Sequence, residues 1–170
     1  MYQIYKLSTE FEIDYPVSKY PEILYKPDRP HFCLLIETHC DYFICVPFRS
    51  SIDHKNAFLF KNTNRSKRTH SGIDYSKMVI IKDTKYLDNK NVVVDQDEYI
   101  QAIKHIQTIV LESVSYLETY INHINGTKVL HKKDFDRRYK FTTLKYFHNI
   151  LNLPHTSEVS TTDTSNLITI

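Results

Sequence analysis

Glycine is almost missing from this chain, with two residues in 170. Long glycine-built phosphate loops are therefore excluded, and Walker and dinucleotide-binding motifs go with them. No apolar run approaches the roughly 20 residues that a bilayer-spanning helix requires, and residues 1–15 are too charged for a secretory signal. Cysteine is scarce: Cys33, Cys40 and Cys45 make an odd number inside apolar, strand-like segments. That pattern points to reduced, buried thiols in a cytoplasm rather than to a disulfide framework. No Cys-x-x-Cys pair accompanies them, so a zinc site with His31 and His39 lacks the close ligand spacing of structural zinc, and core packing is the preferred reading. No cofactor and no metal is expected. Tryptophan is absent too, although thirteen Tyr and nine Phe make the chain rich in aromatic rings.

What is present fits one folded domain. The length allows a single core, and 41% hydrophobic with 25% charged residues lies outside the composition of disordered chains. The formal charge of +2 conceals a division: residues 49–90 carry net +6, residues 127–151 net +5, and the remainder is acidic. Two basic segments on an acidic body suggest a field directed at a polyanion; a solvated, lysine-rich surface is the plainer alternative.

Local patterning predicts a β-rich body closed by two helices. Residues 2–7 read as a short strand, and a loop containing Pro16, Pro21, Pro27 and Pro30 follows. The apolar runs 31–38 and 42–48 read as a tight hairpin through the core, and 57–60 as a further strand. Residues 61–72 are polar and basic, too poor in hydrophobes to pack. The β-branched runs 77–82 and 92–94 predict more sheet. From Asp95 the period changes. Asp95 with Glu98 forms an Asp-x-x-Glu helix start. Tyr99, Ile103, Ile106, Val110, Val114, Leu117, Ile121 and Ile124 then give one apolar stripe along a long helix that Gly126 stops. Residues 127–140 are basic with scattered aromatics. A second helix is expected over about 142–152, before Pro154. The domain is thus placed at 1–152, with 153–170 a flexible Ser/Thr-rich tail.

The most unusual cluster is Pro47-Phe48-Arg49-Ser50-Ser51-Ile52-Asp53-His54-Lys55, where a core strand leaves the sheet. Rigid scaffolds commonly present site residues at such exits. An arginine offers planar, forked charge to a phosphate and a serine a short donor, while histidine exchanges protons near neutral pH. The competing reading is an ordinary strand-end turn with Ser50 and Ser51 bonding backbone. Upstream, Tyr25 and Arg29 frame Pro27, suited to base stacking and phosphate contact or, more plainly, to a hydrophobic lid and a strand-edge charge. A Ser50–His54–Asp53 triad is set aside, because adjacent residues on extended chain point apart and no Gly-x-Ser-x-Gly elbow exists.

These residues also carry a resemblance. Tyr25-Lys26-Pro27-Asp28-Arg29-Pro30, Phe32-Cys33-Leu34-Leu35-Ile36-Glu37 and Val46-Pro47-Phe48-Arg49-Ser50 with Ile52 and His54-Lys55 resemble the ToxN/AbiQ toxins of type III toxin–antitoxin systems, most of all their TenpN branch. Gly72-Ile73-Asp74-Tyr75-Ser76-Lys77 is similar to the next core segment of that family, and Phe141-Thr142-Thr143-Leu144-Lys145-Tyr146-Phe147-His148 to its closing element. The similarity covers roughly residues 1–152. It implies an α+β fold: a twisted antiparallel sheet or open small barrel, MazF/Kid-like, packed with a long helix and a C-terminal helix. It further implies a bacterial, cytoplasmic, metal-independent endoribonuclease that cuts single-stranded RNA by attack of the ribose 2′-hydroxyl, leaving a 2′,3′-cyclic phosphate. The implied partner is an antitoxin RNA of short repeats, cut into pseudoknots that assemble with the toxin and block it. The chain departs from the ToxN pattern at the strand end, where Thr-Ser-Pro-Lys is replaced by Arg49-Ser50-Ser51-Ile52, and upstream, where Arg29 stands for a lysine. The lysine's role falls to Arg49, Arg29 or Lys55.

The expected site therefore comprises Arg49 and Ser50 on the scissile phosphate, Arg29 adding charge, His54 as acid/base and Tyr25 placing a base or assisting proton transfer. RNA contacts are expected from Lys55, Lys61, Arg65, Lys67, Arg68, Lys77, Lys82, Lys132 and Lys133. The alternatives are a non-catalytic RNA- or DNA-binding module and a protein-interaction domain displaying Tyr and Phe. A metal nuclease would need a clustered acidic pair that the basic segments lack.

Overall fold

The computed structural model describes residues 3–24, 31–90 and 92–154. The fold is α+β. Strand β1 (Gln3–Leu7) leads into helix α1 (Thr9–Asp14), then β2 (Phe32–Glu37), β3 (Phe43–Arg49), β4 (Ala57–Leu59), β5 (Gly72–Asp74), β6 (Val79–Ile81) and β7 (Leu87–Asp88). Helices α2 (Gln96–Lys104), α3 (Ile106–Ile124), α4 (Lys132–Tyr139) and α5 (His148–Leu151) complete the chain. All described pairings are antiparallel, in the order β4-β5-β3-β2-β1-β7, with β6 also on β3. The end strands β4 and β7 do not pair with each other, so the sheet is open and does not close into a barrel.

The β2–β3 hairpin is the spine. Consecutive residues Cys33–Ile36 and Ile44–Pro47 are buried, which means that both faces of the hairpin are covered. That is why these strands read as continuous apolar runs rather than as alternation. One edge of β3 pairs β2; the other is shared by β5 and β6. The register along that shared edge slips. Phe48 pairs Ile73 and Cys45 pairs Val79, so the five residues 74–78 stand opposite only Val46 and Pro47. The surplus forms a single 3-10 turn, Tyr75–Lys77, a large bulge in the sheet. Proline has no N–H to give to a ladder and is tolerated in strands mainly at such interruptions. Pro47 and the bulge thus explain each other.

Several expectations are corrected. The proline-rich stretch after β1 contains α1, whose start is capped by Ser8: its hydroxyl accepts the Phe11 amide at 3.3 Å. Val92–Val94 form no strand, and the short edge strand lies earlier, at Leu87–Asp88 on β1. The long helix is two, broken at His105, whose ring lies 5.3 Å from that of Phe58. Gly126 does end α3, with φ of +73° and its amide on the His123 carbonyl. The aliphatic stripe is only part of the buried face. Leu117 is buried and Ile106, Val110, Val114, Ile121 and Ile124 pack against the core, but Tyr99 and Ile103 are exposed, and Ala102, Ile109, Ser113, Tyr116 and Tyr120 take the other fully buried positions. Tyrosine can take a core position because its hydroxyl finds a partner: Tyr116 donates to the Arg138 carbonyl at 3.0 Å, and Tyr120 bonds His148 Nε2 at 2.7 Å. The single C-terminal helix is replaced by α4, a turn at Leu144–Tyr146 and the short α5. Residues 155–170, including the expected tail, lie outside the described residues.

The helix starts where Asp95 and Glu98 place it, with Asp95 as the N-cap residue of α2, but the expected capping is not made: among the described residues Asp95 makes no side-chain cap bond, and Glu98 is fully buried. Its carboxylate accepts from Arg65 Nε at 3.0 Å and Nη2 at 2.5 Å, from Ser71 Oγ at 2.5 Å and from Thr63 Oγ1 at 3.4 Å. The polar segment 61–72 therefore packs after all, through charge and hydroxyls instead of hydrophobes. Removing one member of a buried pair strands its partners. Glu98→Ala should lower stability by about 2–4 kcal/mol, whereas Asp95→Ala should change it by about 0.5 kcal/mol or less. Urea unfolding of both variants decides it; equal losses would restore the capping role.

Candidate functional site

The site forms where β3 leaves the sheet beside the bulge. Arg49 pairs Gly72 at the end of β3–β5, and Asp74 lies two residues along β5 on the same face. A Cβ at position 72 would fall 2.2 Å from the Phe58 carbonyl oxygen, so only glycine lets β4 and β5 approach this closely. Asp74 is completely buried. Burying a carboxylate costs several kcal/mol unless it is paired and hydrogen-bonded, and here four donors converge. Arg49 Nη1 donates to Oδ2 at 2.6 Å, and the Ser76 hydroxyl and amide donate to Oδ1 at 2.7 and 2.9 Å. His54 Nε2 stands 3.4 Å from Oδ2 and 3.3 Å from Ser76 Oγ. Burial alone would raise the Asp74 pKa; hydrogen bonds from His54 and Ser76, with the charges of His54 and Arg49, outweigh it and hold the carboxyl below its ordinary range.

The imidazole of His54 has a defined orientation. Nδ1 accepts the Asn56 amide at 3.2 Å, which leaves the neutral ring's proton on Nε2, toward Asp74. Asn56 ties this turn to the helical layer, donating through Nδ2 to the Arg138 carbonyl at 3.1 Å. Ser51, with φ of +57°, turns the chain between Arg49 and His54, and the Ile52 amide bonds the His70 carbonyl at 2.9 Å. Ser50 is half-buried, and its hydroxyl bonds no other described residue. The arrangement thus unites Arg49 and His54, while the hydroxyl joined to them is Ser76, not Ser50.

Lys77 is the largest departure from expectation. It is 6% exposed, and its amine donates to the Phe141 carbonyl at 2.5 Å, so it belongs to the interior of the site and not to an outer RNA track. Its pKa is lowered, first by burial and then by Arg49 and Lys145, against the opposing pull of Asp74 and Glu22. Arg65 is likewise committed, to Glu98. The others lie outside: Lys55, Lys61, Lys67, Arg68, Lys132 and Lys133 are exposed, and Lys82 is exposed but 2.7 Å from Asp41. Tyr25 and Arg29 lie outside the described residues.

Sequence reasoning missed three participants. Asp74 and Ser76 were detectable as a charge and a hydroxyl in Gly72–Lys77, the segment whose resemblance is to a core element. His31 was detectable from hairpin register: Cys33 pairs Pro47, which sets His31 across from Arg49. Its Nε2 is buried and has no hydrogen-bond partner among the described residues, and burial, then the Arg49 charge, lowers its pKa to about 4. The ring is therefore neutral at physiological pH. Among the described residues no group of three or more His, Cys, Asp or Glu stands together as metal ligands. The Asp74 oxygens are already occupied by protein donors.

The carboxyl gives a signed pH dependence. Its folded pKa lies below the unfolded value, so its contribution is present above the unfolded pKa and is lost as pH falls through the folded one. The stability difference between the protein and Asp74→Asn should be constant above about pH 5 and shrink below about pH 4. Urea midpoints across pH 2–7 measure it, and a difference unchanged down to pH 2 would contradict the assignment. Comparison with protein-family models, curated proteins and solved structures returns no match for this chain.

Proposed function

We propose that the chain is a metal-independent endoribonuclease, a toxin of the type III toxin–antitoxin kind, which cuts single-stranded RNA through the substrate's own 2′-hydroxyl. The observation that carries this reading is the convergence of Arg49, His54 and Ser76 on one buried carboxylate, with Lys77 beside it. Attack by a 2′-hydroxyl requires a proton acceptor, a proton donor for the leaving 5′ oxygen and positive charge at the phosphorane oxygens. Arg49 gives one nitrogen to Asp74, and its fork has further N–H donors for phosphate oxygens. Asp74 fixes the guanidinium in place and orients the His54 ring through Nε2.

His54 is the proton acceptor through Nδ1. That nitrogen carries the lone pair, and its 3.2 Å contact from a backbone amide two residues away is long enough to be exchanged for a substrate hydroxyl. Lys77, an amine with a depressed pKa, is suited to return a proton to the leaving oxygen. Ser50 at the rim adds a donor to phosphate, and Arg29 and Tyr25 keep the roles implied by the family resemblance. The exposed Lys55, Lys61, Lys67, Arg68, Lys132 and Lys133 supply phosphate contacts along the strand. The antitoxin partner is a repeat-derived RNA, and the location is the bacterial cytoplasm.

Purified protein incubated with short adenine-containing RNAs in EDTA should release fragments ending in 2′,3′-cyclic phosphate. His54→Ala should reduce the rate by about 10²–10⁴-fold and, because it takes a donor from the buried Asp74, lower the melting temperature while the protein stays folded; Ser50→Ala should cut toxicity with unchanged melting temperature. Arg49→Lys is preferred to Arg49→Ala, because it keeps a cation on Asp74. RNA retention without cleavage would make the chain a binding module; no retention would overturn both.

A further inference from the structure

We infer that Phe141 is a stacking platform for the nucleobase flanking the RNA linkage held at Arg49, an inference that rests on the RNA-cleaving reading of that site. The ring is 62% exposed, whereas Thr142 and Thr143 immediately after it are buried. A lone exposed hydrophobic residue on a protein surface needs no explanation. This one is distinguished by how it is mounted. Its own carbonyl receives the Lys77 amine at 2.5 Å, and two residues on, the Thr143 amide and hydroxyl donate to the Ser76 carbonyl at 3.0 and 3.4 Å. The backbone beneath the ring is thereby fastened to the two bulge residues, Ser76 and Lys77, that border Asp74. On the other side, Tyr139 is buried and its hydroxyl donates to the Tyr116 carbonyl at 2.8 Å.

Charge around the ring selects the kind of ligand. Lys140 Nζ lies 5.2 Å from the Phe141 ring centroid, a cation at an aromatic face in a segment of net +5. An apolar protein partner would have to desolvate the lysine at the ring face. A nucleotide meets both features, since its base stacks on the ring and its phosphate faces the cation. Stacking tolerates every base, so the platform sets where the strand lies rather than which sequence is chosen.

The test uses full-length protein and two forms of one single-stranded RNA, one intact and one with a single abasic nucleotide, placed in turn at each position flanking the cut. Cleavage is read on the native 2′-hydroxyl strands and binding on 2′-O-methyl strands, which cannot be cut. Phe141→Ala should weaken intact RNA by about 10-fold, and Phe141→Trp should restore it. At one flanking position the abasic strand should be bound equally by the protein and by Phe141→Ala, because the lost base and the lost ring are the same interaction. Unchanged melting of Phe141→Ala shows that the fold is retained. If every abasic strand penalises both proteins alike, the platform is wrong while the site stands. If the protein binds but does not cut, the binding arm still decides the platform. If neither form of RNA binds, both readings fall.

Discussion

A carboxylate sealed inside the sheet is the constraint on which this molecule turns. Asp74 has no access to solvent, and a charge so placed persists only if protein groups replace its hydration. Arg49, His54 and Ser76 do so, and each is thereby held in one position. The guanidinium lies at the exit of β3, and the imidazole is fixed at both nitrogens, Nε2 on Asp74 and Ser76 and Nδ1 on the Asn56 amide. Preorganisation of this kind is what an electrostatic site requires, because dipoles and charges already in place need no rearrangement when the reaction demands them.

The bulge makes the arrangement possible. Had β5 run into β6 without interruption, Ser76 and Lys77 would have continued the ladder along β3 with the fixed alternation of a strand. Three surplus residues opposite Val46 and Pro47 turn the backbone instead, so that Ser76 caps Asp74 and Lys77 reaches across to the Phe141 carbonyl. Bulges next to active sites commonly re-aim side chains in this way. The segment after α4 completes the work: Thr143 donates from its amide to Ser76 and from its hydroxyl to the carbonyls of Ser76 and Met78, satisfying acceptors that the broken ladder leaves open. Sheet, turn and C-terminal segment thus form one unit, and the face of α3 packs on the bulge, where Glu112 accepts from the Tyr75 hydroxyl at 2.6 Å.

Much of the sheet was legible in the residues. Continuous apolar runs marked β2 and β3, and the strand exit at Arg49–His54 stood out because charged and hydroxyl residues follow a core strand. What escaped was decided by polar groups. The aliphatic stripe placed Tyr99 and Ile103 inward, but the core chose Tyr116 and Tyr120, whose hydroxyls find partners. Glu98 looked like a helix start and is a buried counter-ion for a loop thirty residues earlier in the chain. Lys77 looked like one more surface cation within a basic segment. In each case a long-range polar partner overrode a local pattern, and single-sequence periodicity carries no record of such partners. The bulge escaped for a related reason: register is a property of two strands, and residues 72–81 by themselves show none of it.

The central claim is that Asp74 orders His54 as well as Arg49, and the protonation state of one ring tests it most directly. A long-range ¹H–¹⁵N correlation spectrum of uniformly labelled protein, with His54 assigned by its disappearance in His54→Gln, distinguishes the tautomers. The account predicts that neutral His54 carries its proton on Nε2, toward the carboxylate, and that the signal pattern changes in Asp74→Asn. A neutral His54 protonated on Nδ1, indifferent to Asp74→Asn, would contradict it.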